Sequence, residues 1–472
     1  MLFNSLHFFV FFIVVTTAYF LLPHKHRWKL LLLSSCYFYM TFVPVYILIL
    51  GFTIIIDYFA GILIEKTQGA KRKSLLILSL VANIAVLAVF KYYNFLNDNL
   101  SLLMGGWGYQ NEIPYLTILL PIGLSFHTFQ AMSYTIEVYR GNYKAERHFG
   151  IYALYVMFYP QLVAGPIERP QNVLPQFHVK HKFNYPDVVG GLQQILWGLF
   201  KKVVIADRLT VYVDAVYGNP DKHSAPTLIV STIFFAFQIY CDFSGYSDIA
   251  LGTARVMGFR LMVNFRRPYL AKSIKEFWSR WHISLSTWFR DYLYFPLGGN
   301  KVAIPRWYLN LFIVFMVSGL WHGANWTFII WGALHGVYQI GSIIFKRFNN
   351  LNILGYQPLT NLFHVLLTFI LVAFAWIFFR ANTVQDALLI TNNILTFKSG
   401  GLFIGEPAGF LYSIFWILFL ILTEYIQENH SERFKVFNNS NVVIRYAGYA
   451  TLVCLILLFG VFNGAQFIYF QF

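Results

Sequence analysis

The 472-residue chain predicts an all-α, polytopic membrane protein of about ten to twelve hydrophobic helices, since crossing hydrocarbon takes roughly 20 apolar residues. Three observations carry this. Hydrophobic residues make up 58% and charged ones only 12%, against about 25% charged in soluble domains. Mean hydropathy is +0.56. Apolar runs of near-spanning length recur near 3–22, 29–43, 46–64, 74–96, 114–137, 149–165, 187–216, 227–257, 308–345, 360–379, 407–427 and 443–463.

Taken in order, the first run has no Lys or Arg before it and no small-x-small cleavage pattern after it, so a retained helix is expected over a removed signal peptide. The early basic residues cluster at 25–29, 66–73 and 140–147, whereas 101–114 has none. Cytoplasmic loops carry the Lys/Arg excess, which puts the N-terminus outside. The run at 308–345 is long enough for two helices, and the short or Pro/Gly-broken runs suit re-entrant or interfacial elements. No linker, low-complexity tract or repeat divides the chain, which reads as one membrane domain over 1–472.

Formal charge is +15, and the apolar excess assigns it to loop topology and contact with anionic lipid rather than to nucleic acid. The strongest polar interruption, 258–307, holds nine basic residues against Glu276 and Asp291, a net of +7. It is expected on the cytoplasmic side, where it can meet a phosphorylated donor. Cys36, Cys241 and Cys454 lie apart in apolar stretches and suit buried small hydrophobes, not a disulfide framework or a CxxC site.

Within 258–307, Phe277, Trp278, Trp281, Leu285, Trp288, Phe289 and Tyr292 recur every three or four positions, with Lys272, Glu276, Arg280, Thr287 and Asp291 on the opposite side. This spacing predicts one amphipathic helix over 272–292 lying in the membrane interface, with His282 on its apolar side beside Trp281 and Trp278. A second histidine, His322, falls inside the apolar run that follows. Ionisable groups there are costly and by default mark a functional pathway. Gly319, Gly323 and Ala324 leave space around it, and Asn325, one helical turn on, is placed to orient its ring.

A neutral imidazole is a natural proton acceptor for a hydroxyl. The plainer reading makes both histidines buried packing residues bonded to neighbouring groups, and it stays open on spacing alone. Neither has a second metal ligand at helical spacing, so no metal site is expected, and no Gly-x-Ser-x-Gly is present. His7, His127, His335 and His364 read as packing residues. The Pro/Gly- or charge-broken stretches at 120–130, 161–170 and 240–248 imply backbone that is buried in protein or lines a cavity.

Arg-Trp-His-Ile-Ser-Leu-Ser at 280–286, Arg-Asp-Tyr-Leu-Tyr-Phe-Pro-Leu-Gly-Gly-Asn at 290–300 and Gly-Leu-Trp-His-Gly-Ala-Asn-Trp at 319–326 resemble the signatures of the membrane-bound O-acyltransferases. The alginate O-acetylation, AlgI-like branch is the nearer match, and the similarity extends through 161–170, 237–248 and the end 467–472. The resemblance implies a ring of helices around a funnel in a bacterial inner membrane. It makes His322 the essential histidine and His282 the position held by His or Asn. Trp278, Trp281, Arg290, Asp291, Tyr292 and Asn325 are then expected to contact substrate.

It further implies a cytosolic acyl-CoA donor, acetyl-CoA above all, with no tightly bound cofactor. The acyl group would pass to an exported glycan directly or through the serine of a hydrolase-like acyltransferase partner, outside or membrane-anchored. His322 would serve as general base, with His282 and Asn325 holding or polarising the thioester. Two rival readings are a transporter or flippase of a lipid-linked glycan and a non-catalytic scaffold of a glycan-modifying complex.

Overall fold

A computed structural model describes residues 1–117, 121–163, 165–348, 357–430, 439, 441–462 and 467–468. Leu120 and Ala164 of two Pro/Gly-broken stretches, and 469–472 of the C-terminal motif, lie outside the described residues. Every regular element among those described is helical. In order these are α1 (Leu6–Leu21), α2 (His24–Met40), α3 (Ile47–Lys66), α4 (Gly69–Leu87), α5 (Tyr93–Gly106), α6 (Leu124–Arg140), α7 (Phe149–Met157), α8 (Tyr159–Leu162), α9 (Pro170–His178) and α10 (Tyr185–Leu199). There follow α11 (Asp207–Tyr217), α12 (Ala225–Val256), α13 (Ile274–Arg280), α14 (Ile283–Phe289), α15 (Ile304–His322), α16 (Trp326–Phe348), α17 (Gln357–Arg380), α18 (Val384–Leu395), α19 (Pro407–Asn429) and α20 (Val442–Phe459).

Nine helical stretches among the described residues are long and apolar enough to cross a membrane: Pro44–Lys66, Gly69–Gly106, Tyr185–Tyr217, Ala225–Val256, Ile304–His322, Trp326–Phe345, Pro358–Arg380, Pro407–Asn429 and Val442–Phe459. Helix α1 is apolar but shorter. The chain is thus an all-α, multi-pass membrane protein. The run at 308–345 divides into α15 and α16, whereas 149–165 yields only the short, buried helices α7 and α8, too short to span.

The chain falls into two compact units, 1–195 with 247–262 and 196–246 with 263–472. In the first, α3, α4 and α6 pack around polar groups. Ser79 Oγ donates to Asp57 Oδ1 at 2.6 Å, Asn83 Nδ2 donates to both Asp57 oxygens at 3.0 and 2.9 Å, and Thr53 meets His127 Nε2 at 2.8 Å. Helix α4 is accordingly inside-out. Ser79 and Asn83 are buried, while Ile77, Leu78, Val81 and Ile84 are exposed, as suits a helix facing lipid. Gly61 fits because a Cβ there would lie 2.6 Å from the Tyr134 ring.

The second unit holds a large aromatic core and a buried ion triad. Lys202 Nζ sits 2.7 Å from Asp207 and 2.6 Å from Asp242, with all three side chains buried. Lys202 lies in a π-helical stretch, Phe200–Ala206, whose Val203 carbonyl accepts the Val461 amide at 2.8 Å. Asp242 Oδ2 also accepts the Ile468 amide at 2.7 Å, and Phe467 packs on Phe243 and Tyr246. The C-terminal motif is therefore tied to α12 through its described residues.

Removing one member of a buried ion cluster strands the others, at a cost of about 3–5 kcal/mol. Lys202→Met is expected to lower the melting temperature in detergent sharply, and adding Asp207→Asn and Asp242→Asn to recover much of the loss. A differential-scanning fluorimetry series on the purified variants checks this. Equal melting of Lys202→Met and the parent would contradict it.

Candidate active site

Ser273 caps α13 by accepting the Glu276 amide at 3.2 Å, while Glu276 Oε2 accepts the amide of Lys272, the residue before the cap, at 2.8 Å. The helix stops at Arg280. Trp281 is extended, and His282 takes the left-handed conformation, φ 42° and ψ 54°, that non-glycine residues rarely adopt. The single helix expected over 272–292 is thus corrected to two short helices broken at His282, followed by a π-helical turn, Arg290–Tyr294. Periodicity did not reveal the break because a left-handed residue interrupts the backbone without disturbing the spacing of apolar residues.

Asn264 holds this break in place. Its carbonyl accepts the Ile283 amide at 2.9 Å, and its side-chain oxygen accepts the Ser284 amide at 3.2 Å and the Ser284 hydroxyl at 3.0 Å. His282 Nδ1 lies 3.1 Å from the same Oδ1. A carbonyl oxygen only accepts, so Nδ1 carries the proton and Nε2 the lone pair in the neutral ring. Strain and polarity at His282 are therefore both met by Asn264. Burial pushes the His282 pKa down to about 3, which keeps the imidazole neutral over the physiological range.

His322 is the last residue of α15, after which Gly323 is extended at φ −163°. Helices α15 and α16 form a close hairpin. A Cβ on Gly319 would fall 2.4 Å from the Phe328 carbonyl oxygen, and one on Gly332 would fall 2.4 Å from that of Phe315. The glycines beside His322 thus admit the next helix of this chain. The buried imidazole is flanked edge-on by Trp321 and Trp331, each 4.9 Å between ring centres, and by Phe379 at 5.4 Å.

Trp321 is the link between the two histidines, since its ring centre also lies 6.1 Å from that of His282. The fold therefore brings residues forty positions apart onto neighbouring sides of one indole. His282 further meets Phe243 edge-on at 4.7 Å. The expected placement of Asn325, one helical turn beyond His322, is corrected. Because α15 ends at His322, Asn325 is not its next turn; Oδ1 instead accepts the Thr327 amide at 3.0 Å at the start of α16, and Nδ2 donates to the Asn382 carbonyl at 3.1 Å.

Trp281 is deep in the aromatic core, 5.1 Å from Phe265 and from Trp376. Trp278 is half-buried and donates its indole N–H to His335 Nδ1 at 3.3 Å. Arg290 and Asp291 pair with one another at 2.8 Å on the π-helical turn, and Tyr292 packs on Trp288. Sequence reasoning missed Asn264, which lies 18 residues before His282. It also set aside His335, whose link to Trp278 crosses from α16 to α13.

Residues 147–382, half of the chain, match the model of the membrane-bound O-acyltransferase family, a range that holds both histidines. The chain is 39% identical over 392 residues to the probable alginate O-acetylase AlgI of Pseudomonas aeruginosa, covering 81% of this chain and 72% of that protein. The chain belongs to the membrane-bound O-acyltransferase family. It is also 35% identical over 392 residues to the peptidoglycan O-acetyltransferase of Helicobacter pylori, covering 77% and 73% of the two chains. Against the teichoic acid D-alanyltransferase of Bacillus subtilis it is 27% identical over 273 residues, covering 55% and 69%.

This protein is therefore an acyltransferase, and the transporter and scaffold readings fall away. Its His282 supplies a pH test. With a folded pKa near 3 and an unfolded value of about 6.5, the unfolded state binds the extra proton between those limits, so folded stability rises with pH there and is fully present above about 6.5. The melting temperature should fall from pH 7 to pH 4 less steeply in His282→Asn than in the parent. Parallel slopes in a pH-resolved melting series would contradict a neutral, buried His282.

Proposed function

We propose that this acyltransferase moves an acyl group, acetyl above all, from cytosolic acyl-CoA to hydroxyl groups of an exported polysaccharide or cell-envelope glycan, working in a bacterial inner membrane. The observation that carries the reading is the placement of His322, a buried imidazole at a helix end with His282 across Trp321, in a chain similar to O-acetylating proteins. The basic run 258–307 supports a donor bearing phosphates, which Arg and Lys recognise through charge-assisted hydrogen bonds. Transfer to the glycan runs directly or through the serine of a hydrolase-like acyltransferase partner.

His322 takes the proton of the acceptor hydroxyl as its oxygen attacks the thioester carbonyl. The C–S bond then breaks, the ester forms, and the imidazolium returns the proton to the departing thiolate. Atoms and protons balance with no further reactant. His282, whose Nδ1–H is engaged by Asn264, offers Nε2 as an acceptor, so it holds a substrate O–H or N–H group in line. The Trp and Phe rings around His322 meet it edge-on and hold the imidazole plane in place.

Purified protein given labelled acetyl-CoA and a glycan oligosaccharide should yield labelled ester. His322→Ala should lower turnover by at least about a hundredfold, the scale of losing a general base. Undiminished transfer by that variant would remove the assigned base.

A further inference from the structure

His335 is an ionisable group inside an apolar helix, fully buried, that the transfer chemistry above does not use. Its ring is stacked by Phe277 at 6.3 Å and Phe315 at 6.2 Å, and met edge-on by Trp278, Trp331 and Tyr338. Among the described residues its polar contact is the indole N–H of Trp278, 3.3 Å from Nδ1. The indole N–H is a donor only, so Nδ1 is the acceptor and the proton of the neutral ring sits on Nε2.

The two partners belong to different helices. Trp278 belongs to α13, four residues before His282. His335 belongs to α16, and 5.0 Å from it sits Trp331, the ring that flanks His322. A hydrogen bond between these helices sets the register of α13 on α16, and with it where the strained turn at His282 stands relative to the end of α15.

We propose that His335 is a positioning residue for acyl transfer: as a neutral acceptor for Trp278 it fixes the separation of His282 and His322. This rests on the roles given to those two histidines above. Misplacement of a reacting group by about an ångström costs on the order of a hundredfold in rate. A group acting only through position lowers turnover without changing how the donor is first held.

The test uses the full-length protein in detergent or nanodiscs, with kcat and KM measured for acetyl-CoA. His335→Leu is expected to lower kcat tenfold or more, a fraction of the misplacement limit, with KM little changed. His335→Gln, which keeps an acceptor for the indole, should recover most of the loss. Trp278→Phe should match His335→Leu, and the double variant should be no worse than either single one, the mark of one shared interaction. In a His282→Ala background, His335→Leu should add little.

Additive losses, a glutamine variant no better than leucine with an unchanged melting curve, or full activity of His335→Leu would each overturn the proposal. If His335→Leu does not fold, Trp278→Phe at its half-buried position and His335→Gln decide by the same criteria. Full activity of His335→Leu beside an inert His322→Ala overturns this inference alone. An active His322→Ala overturns the reading beneath it.

Discussion

Hydrocarbon offers no hydrogen bonds, so every polar group carried into it must find its partner within the protein. Much of the architecture follows from this. Asp57 is met by Ser79 and Asn83 across two helices, and Lys202 sits between Asp207 and Asp242. On α4 the polar side chains turn inward and the apolar ones outward, the reverse of a soluble helix, whereas the stretch around Lys202 is buried on every side. The same rule governs the backbone: the helix breaks at His282 and Gly323 occur among buried residues, where Asn264 and the α15–α16 hairpin hold the chain.

Those breaks place the candidate chemistry. His282 stands at the start of α14 and His322 at the end of α15, so both side chains leave the helical ladder beside the Trp321 ring. Two consequences follow from their surroundings. Burial keeps the His282 imidazole uncharged, and Asn264 fixes which nitrogen of that ring carries its hydrogen. Glycine at 319 and 332 lets α15 and α16 approach closely enough for Trp331 to reach His322. A substitution at either glycine would disturb the site through packing alone.

The class of fold was legible because composition and run length are direct consequences of crossing a bilayer. His322 was legible for a similar reason, as a polar residue in an apolar run stands out. The amphipathic pattern over 272–292 correctly marked an inward face holding Phe277 and Trp281, yet it concealed the break at His282. Periodicity reports side-chain spacing and not a single left-handed φ angle. The position of Asn325 was misjudged because spacing along the sequence assumed a continuous helix, whereas α15 ends at His322. Asn264 gave no signal, and His335, though a polar residue in an apolar run, was read as packing, since their partners lie on other elements and the contacts exist only once the chain has folded.

The central claim is that His322 and His282 together face the bond that is broken and made. Its most direct test is a cryo-electron microscopy structure with a non-hydrolysable acetyl-CoA analogue in which the thioester sulfur is replaced by methylene. The account predicts the analogue's acyl carbonyl beside Trp321, with the His322 ring close enough to reach an attacking hydroxyl by a hydrogen bond of about 2.6–3.2 Å. An acyl group bound with neither histidine beside it, in a complex that remains competent with the natural donor, would contradict it.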